Sequence, residues 1–269
     1  MSLSPAEIAA AAATLAAARA EGRKLPAPPD PAPTTMDEAY AVQDALIAHG
    51  DSPVVGWKIG ATSARAQTML GVDGPFIGPV FERWVADSPA AVATPEGAVR
   101  IVEPEFAVRM AAALPARSAP YSAEEIAGAV GALLPAFEVV DVRIARPPDA
   151  TSPFAAGPFW TVADAGANGA LVLGPETTDW RALDLDALSV SVTVDGTAKT
   201  AGVSTNALGG TLKALAWAVE HLRARGIGLE AGAVVTTGVV TEIFTLEPGQ
   251  TVDADYGPLG SISLEMAGY

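Results

Sequence analysis

Ile101-Val-Glu-Pro-Glu-Phe-Ala-Val108 is the stretch on which the reading of this chain turns. Residues 99–114 around it are apolar, β-branched and alternating, the pattern of a strand. In a strand, residues i and i+2 leave the same face with Cα atoms roughly 6.5–7 Å apart. Glu103 and Glu105 therefore stand side by side. Two adjacent carboxylates repel, and left unpaired at least one has its pKa raised. A divalent cation removes that conflict, because hard cations take oxygen ligands. A third carboxylate, Glu138, stands alone in a second apolar run, Leu133-Leu-Pro-Ala-Phe-Glu-Val-Val-Asp-Val-Arg143. With two histidines and no cysteine in the chain, Glu103, Glu105 and Glu138 suggest a site for Mg²⁺ or Mn²⁺.

Each of these residues also has a plainer reading. The pair would suit an edge strand with a solvated face. The apolar neighbours Ile101, Val102, Phe106 and Val108 weigh against that, and Pro104 is awkward in a central strand. Glu138 would suit a water-facing position or a partnership with Arg143. Lys58 lies in Val54-Val-Gly-Trp-Lys-Ile-Gly60, flanked by glycines that allow close approach of backbone or ligand. It reads either as an edge lysine that discourages aggregation or as a lysine beside a metal-bound acid, stabilising charge or moving a proton. His49 and His221 have no second histidine at ligand spacing and read as structural.

The chain's 269 residues suit one large domain, or a core with a small appendage. Half of them are hydrophobic, enough for a sizeable core. No apolar run reaches the roughly 18–20 residues of a membrane span, and the N-terminus has no secretory pattern. A formal net charge of −15 disfavours nucleic acid, whose phosphates need a basic surface. The absence of cysteine excludes disulfides and thiolate chemistry, and the expected location is cytoplasmic. Gly-x-Ser-x-Gly, P-loop and Gly-x-Gly-x-x-Gly patterns are absent.

Along the chain, Ser4-Pro5-Ala6-Glu7 is a capping box opening a helix that ends at Gly22. A proline-rich connector at 25–33 follows, then a second helix at 36–49. Residues 1–50 are expected to form a helical cap on a catalytic core at 51–269. In that core a strand at 54–60 leads to a short helix, and a Gly/Pro-rich loop is expected at 71–79. The two glutamate strands are separated by a capped helix from Ser122. A loop at 145–158 is long enough for a lid. Further strands are expected at 171–174, 188–194, 234–238, 251–255 and 261–266. The helix at 211–223 has its apolar stripe on Leu212, Leu215, Ala216, Val219 and Leu222. Strands outnumber helices without strict alternation, which predicts an α+β fold with a mixed-β core.

Gly56-Trp-Lys-Ile-Gly-Ala-Thr-Ser63, Leu70-Gly-Val-Asp-Gly-Pro75, Glu103-Pro-Glu105 and Leu134-Pro-Ala-Phe-Glu-Val-Val-Asp-Val-Arg143 together resemble the fumarylacetoacetate hydrolase superfamily. The nearest likeness is to its 2-oxopent-4-enoate hydratase and 4-oxalocrotonate decarboxylase branch. Val162-Ala-Asp164, Leu215-Ala-Trp217, Thr237-Gly238 and Gly257-Pro-Leu-Gly-Ser261 extend the resemblance over residues 36–266. It implies a rolled β core (a roll or sandwich), metal ligands at Glu103, Glu105 and Glu138, and an active-site lysine at Lys58. It also implies a metal-chelated 2-oxo acid substrate that passes through an enolate-like species.

The chain departs from the branch at four places. Phe76 stands where hydratases often carry an acid, Ala165 and Ala167 replace an asparagine and a serine, and Gly210-Thr211 replaces His-Pro. The expectation is a metal-dependent lyase, hydratase or decarboxylase, acting on a small 2-oxo acid, with Asp164 as a further acid or base. The partners expected are copies of itself in a homo-oligomer and an associated pathway enzyme. The alternatives are an acylpyruvate-type C–C hydrolase, which needs a base to activate water, and a non-catalytic paralogue that binds a 2-oxo acid or stabilises a partner.

Overall fold

The computed structural model describes residues 2–50, 52–147, 149–150 and 152–268. Helix α1 (Pro5–Ala20) begins where Ser4 and Glu7 form a reciprocal capping box. Helix α2 (Met36–Ala48) begins where the Thr35 hydroxyl accepts from the Glu38 amide. There follow β1 (Val54–Gly60), α3 (Ala64–Leu70), β2 (Phe76–Phe81), β3 (Val85–Asp87), β4 (Ala90–Ala93) and the glutamate strand β5 (Ile101–Met110). Helix α4 (Ala123–Ala129) runs directly into β6 (Val130–Val140), which carries Glu138. The remainder is α5 (Pro158–Ala163), β7 (Asn168–Leu173), β8 (Ser189–Val194), β9 (Thr197–Val203), α6 (Thr211–Ala224), β10 (Val234–Val239), β11 (Phe244–Thr245), β12 (Thr251–Asp255) and β13 (Ser261–Ala267).

The strands form two sheets. The larger runs β2-β1-β10-β5-β6-β7-β3, with β11 also on β5, and the smaller runs β4-β13-β12-β8-β9. The pairs β1/β10, β3/β7 and β4/β13 are parallel. Both candidate strands are interior, β1 between β2 and β10, β5 between β10 and β6, so neither Lys58 nor the glutamate pair belongs to a sheet edge. Pro104 is tolerated in this central strand because β10 shifts register between Thr236 and Val239. The Pro104 carbonyl still accepts from Val240 N at 3.1 Å, and the missing N–H falls where the ladder is already interrupted.

Two faces of the larger sheet differ. One packs Trp57, Phe106, Phe137, Val172 and Val235 into the main core, together with Leu15, Val42 and Leu46 of the first two helices and Leu215 and Leu222 of α6. Full burial of each large side chain contributes about 1.5–3 kcal/mol. The other face carries a smaller cluster, including Ala107, Leu134, Ala136, Leu171 and Val234. By strand alternation, Glu103, Glu105 and Glu138 stand on this second face.

Several elements differ from expectation. The second half of the 71–79 loop is β2, fully buried and paired antiparallel to β1; its glycine and prolines mask a strand. Strands β3, β4, β9 and β11 are too short or too polar to show a period. Within the expected lid, Pro148 and Thr151 lie outside the described residues. Gly157 N closes a turn onto Phe154 O, and α5 starts at Pro158, a favoured first helical residue. The buried stripe of α6 is Ala214, Leu215, Ala218, Val219 and Leu222, rotated slightly from the one expected. Among the described residues no helix is long and apolar enough to cross a membrane.

Candidate metal centre

Antiparallel pairing of β5 with β6 sets Glu103 directly opposite Glu138 and Glu105 opposite Ala136. Cross-strand partners on one face stand with Cβ atoms about 4.5–5.5 Å apart, so the trio converges from two chain segments. One carboxylate oxygen from each of Glu103, Glu105 and Glu138 lies within 4.8 Å of the others. Glu105 and Glu138 are fully buried, and Glu103 opens onto a cavity.

The trio is held from behind by few donors. Glu105 Oε2 accepts from Gly238 N at 2.7 Å. Glu138 Oε1 accepts from Asn168 Nδ2 and from Lys58 Nζ, each at 3.1 Å. Glu105 Oε1 and Glu138 Oε2 are buried without a hydrogen-bond partner. Gly238 reaches Glu105 from a left-handed conformation (φ +98°), and Thr62 fills the space a Cβ would need.

Lys58 is the cation of the group. It is buried on β1, and its ammonium also donates to Gly166 O at 3.1 Å. Gly166 lies in a turn where Ala165, Gly166 and Ala167 all have left-handed φ values of 55°, 64° and 62°. Such geometry costs an alanine about 1–2 kcal/mol. The turn directs the Gly166 carbonyl at Lys58 and starts β7 with Asn168 facing Glu138. Ala165 and Ala167 thus shape the main chain behind the site. Phe76 sits with its ring centroid 5.8 Å from Lys58 Nζ, a cation–π distance.

The electrostatics follow from burial. Burial pushes the Glu103 carboxyl up to about 7, with Lys58 opposing and Glu138 adding to the rise. Burial, then Glu138 and Glu103, raise Glu105 well above the carboxylate range. Burial alone would lower Lys58, but the carboxylates, Glu138 foremost, outweigh it and hold the ammonium above its ordinary value. Three acids against one lysine leave an excess of negative charge and two unpartnered buried oxygens. That donor set suits a hard divalent cation.

Asp164 stands apart from this group. Its Oδ1 accepts from Arg19 Nε at 2.8 Å, its Oδ2 accepts from Arg143 N, and its carbonyl accepts from Arg19 Nη2 at 2.8 Å. It does not line the cavity over Glu103 and Lys58, and each of its carboxylate oxygens already accepts a hydrogen bond. Arg143 pairs with Asp141 rather than with Glu138. His221 packs between Trp217 and Tyr40, at ring separations of 4.9 and 5.3 Å. Asn168 escaped the sequence reading, and Gly238 entered it only within the Thr237-Gly238 resemblance, without a role. The one available signal was an amide at the mouth of the apolar run Asn168-Gly-Ala-Leu-Val-Leu173.

Comparison with known proteins places the chain in a family. Residues 12–266 match the family model for the fumarylacetoacetate (FAA) hydrolase C-terminal region. A 2-keto-4-pentenoate hydratase from Paraburkholderia phymatum is 32% identical over 228 residues, covering 83% of each chain. A 2-oxo-hept-4-ene-1,7-dioate hydratase from Escherichia coli is 29% identical over 234 residues, covering 85% of this chain and 86% of that one. The 4-oxalocrotonate decarboxylase from Pseudomonas putida G7, solved in complex with magnesium and adipate, superimposes with a TM-score of 0.85 at 23% identity. That match covers 98% of this chain and 99% of the other, and it establishes the shared fold. The chain belongs to the fumarylacetoacetate hydrolase family.

Proposed function

We propose that this chain is a divalent-metal-dependent lyase that adds water to, or removes CO₂ from, a small 2-oxo acid. The observation that carries the reading is the convergence of Glu103, Glu105 and Glu138 within 4.8 Å, with two buried oxygens unpartnered and Lys58 alongside. These three glutamates would hold Mg²⁺ or Mn²⁺, and the bound ion would polarise the 2-oxo group so that it accepts electron density.

The remaining work falls to this chain's own groups. Gly238 N and Asn168 Nδ2 fix the orientations of Glu105 and Glu138. Lys58, held charged, places a positive charge beside the developing negative charge and supplies a proton from Nζ. Phe76 and Phe154 exclude water from one wall. Asp164 serves as a positioning residue that locks the 165–167 turn through Arg19. Residues 1–50 act as a cap. In support, Gln43 Nε2 donates to Ile77 O at 3.0 Å and Val162 O at 2.7 Å. The hydrolase reading needs a base near the cavity, and His221 packs against Tyr40 of α2 instead.

The test is to incubate the Mg²⁺-loaded protein with 2-oxo-4-pentenoate, 4-oxalocrotonate and an acylpyruvate, following water addition, CO₂ release and C–C hydrolysis separately. Metal-dependent consumption of either of the first two is expected. Turnover of the acylpyruvate alone, or of none, overturns the proposal.

A further inference from the structure

We infer that the cavity over Glu103 and Lys58 selects a 2-oxo acid with a short, uncharged apolar tail and rejects a second carboxylate at the far end of that tail. This rests on the function proposed above and deepens it. The relatives leave the point open, since one is named for a pentenoate and another for a heptene-1,7-dioate.

The cavity's own walls decide it. Its charged lining is Glu103 and Lys58; its apolar lining includes Met69, Leu70, Phe154, Val239 and Ile243. Its volume is about 60 Å³, room for a few water-sized groups at roughly 10–15 Å³ each. Among the described residues Lys58 is the one cation on the wall, and its ammonium is occupied by Glu138 Oε1 and Gly166 O. The Thr161 hydroxyl is spent on Gly157 O at 3.0 Å. Arg65, beside the cavity-lining Ala66, is exposed and paired with Glu242. A distal carboxylate would therefore lose its water against a lining that is apolar but for the Thr62 hydroxyl and offers no further cation to replace it, and Glu103 would repel it. A vinyl or short alkyl tail meets neither obstacle.

The experiment compares kcat/KM of the Mg²⁺-loaded full chain on 2-oxo-4-pentenoate and on 2-oxo-hept-4-ene-1,7-dioate. In parallel, calorimetry measures binding of the unreactive 2-oxopentanoate and 2-oxoheptanedioate. A preference of about a hundredfold for the monoacid is expected. Met69→Arg, at a position 52% exposed and so tolerant of a longer side chain, should shrink that ratio at least about tenfold by supplying the missing cation. Equal or better use of the dioate, or a ratio indifferent to Met69→Arg, overturns the inference. If neither enoate reacts, the lyase reading fails, and the two binding constants alone decide the tail preference.

Discussion

Glu138 and Asp141 stand three residues apart at the end of β6, and each belongs to a buried cluster of charge, yet the clusters are built differently. Around Glu138, three carboxylates share one lysine, and two oxygens have no partner. Around Asp141, two carboxylates meet three cations. Asp141 faces Lys24 and Arg143, and Asp164 faces Arg19 at 2.8 Å. In the second cluster each carboxylate has its own cation, and the excess is positive: burial, then Arg143, lower Lys24 to about 7, and Arg143 Nε has no hydrogen-bond partner. In the first the cost of desolvating charge is left for something from outside to offset. Both clusters are buried, so what separates them is the sign of the charge left over: an excess of carboxylate in the first, which suits a cation from outside, and an excess of cation in the second.

The largest effect should come from Glu105→Gln. Mg²⁺ affinity should fall at least about a hundredfold and metal-dependent turnover should vanish, while the metal-free variant melts no lower than the parent because a like-charge contact is gone. Full activity would erase the distinction between the clusters. Asp164→Asn should do the reverse. It should lower unfolding free energy by about 3–5 kcal/mol in urea titrations, because Arg19 stays buried without its counter-charge. Turnover of the folded protein should drop less than about tenfold, short of the 10²–10⁴ expected of an acid–base group. Mg²⁺ itself comes next. At a hundred times its dissociation constant it should stabilise the parent by about 2.7 kcal/mol and Glu105→Gln by no more than about 0.4 kcal/mol, as read by thermal melting. A parent indifferent to Mg²⁺ would show that the first cluster is not a site.

The smallest effect separates acid sensitivity from both clusters. Burial, aided by Arg225, lowers His221 to about 4, against about 6.5 when unfolded. Between those values the unfolded chain binds more protons, so stability falls as pH drops from 6.5 towards 4. With part of the ring open to solvent, the contribution is about 1–2 kcal/mol. His221→Gln should flatten that part of the pH–stability curve.

Much of this was legible in the residues. Ser4, Thr35 and Ser122 mark helix starts that the structure reproduces, because a cap acts within four residues. The alternation of Ile101–Met110 put Glu103 and Glu105 on one face for the same reason. Strand β2 was hidden because its burial on every residue comes from β1 and the core, and periodicity has no way to record a strand covered on both sides. The ion pair of Asp164 was hidden because its partner Arg19 is 145 residues away in the chain.

By itself, then, the sequence determined which residue types alternate on which strands, that an oxygen-rich acidic trio exists, and the family it belongs to. Periodicity and capping are set by neighbours a few residues apart. Tertiary structure alone decided that Glu103 faces Glu138, that Lys58 is engaged by Glu138 and by Gly166 108 residues away, that Asp164 meets Arg19 and the Arg143 amide, and which apolar side chains line the cavity. Each of those depends on strand order and register, which bring distant segments together and which no local pattern encodes.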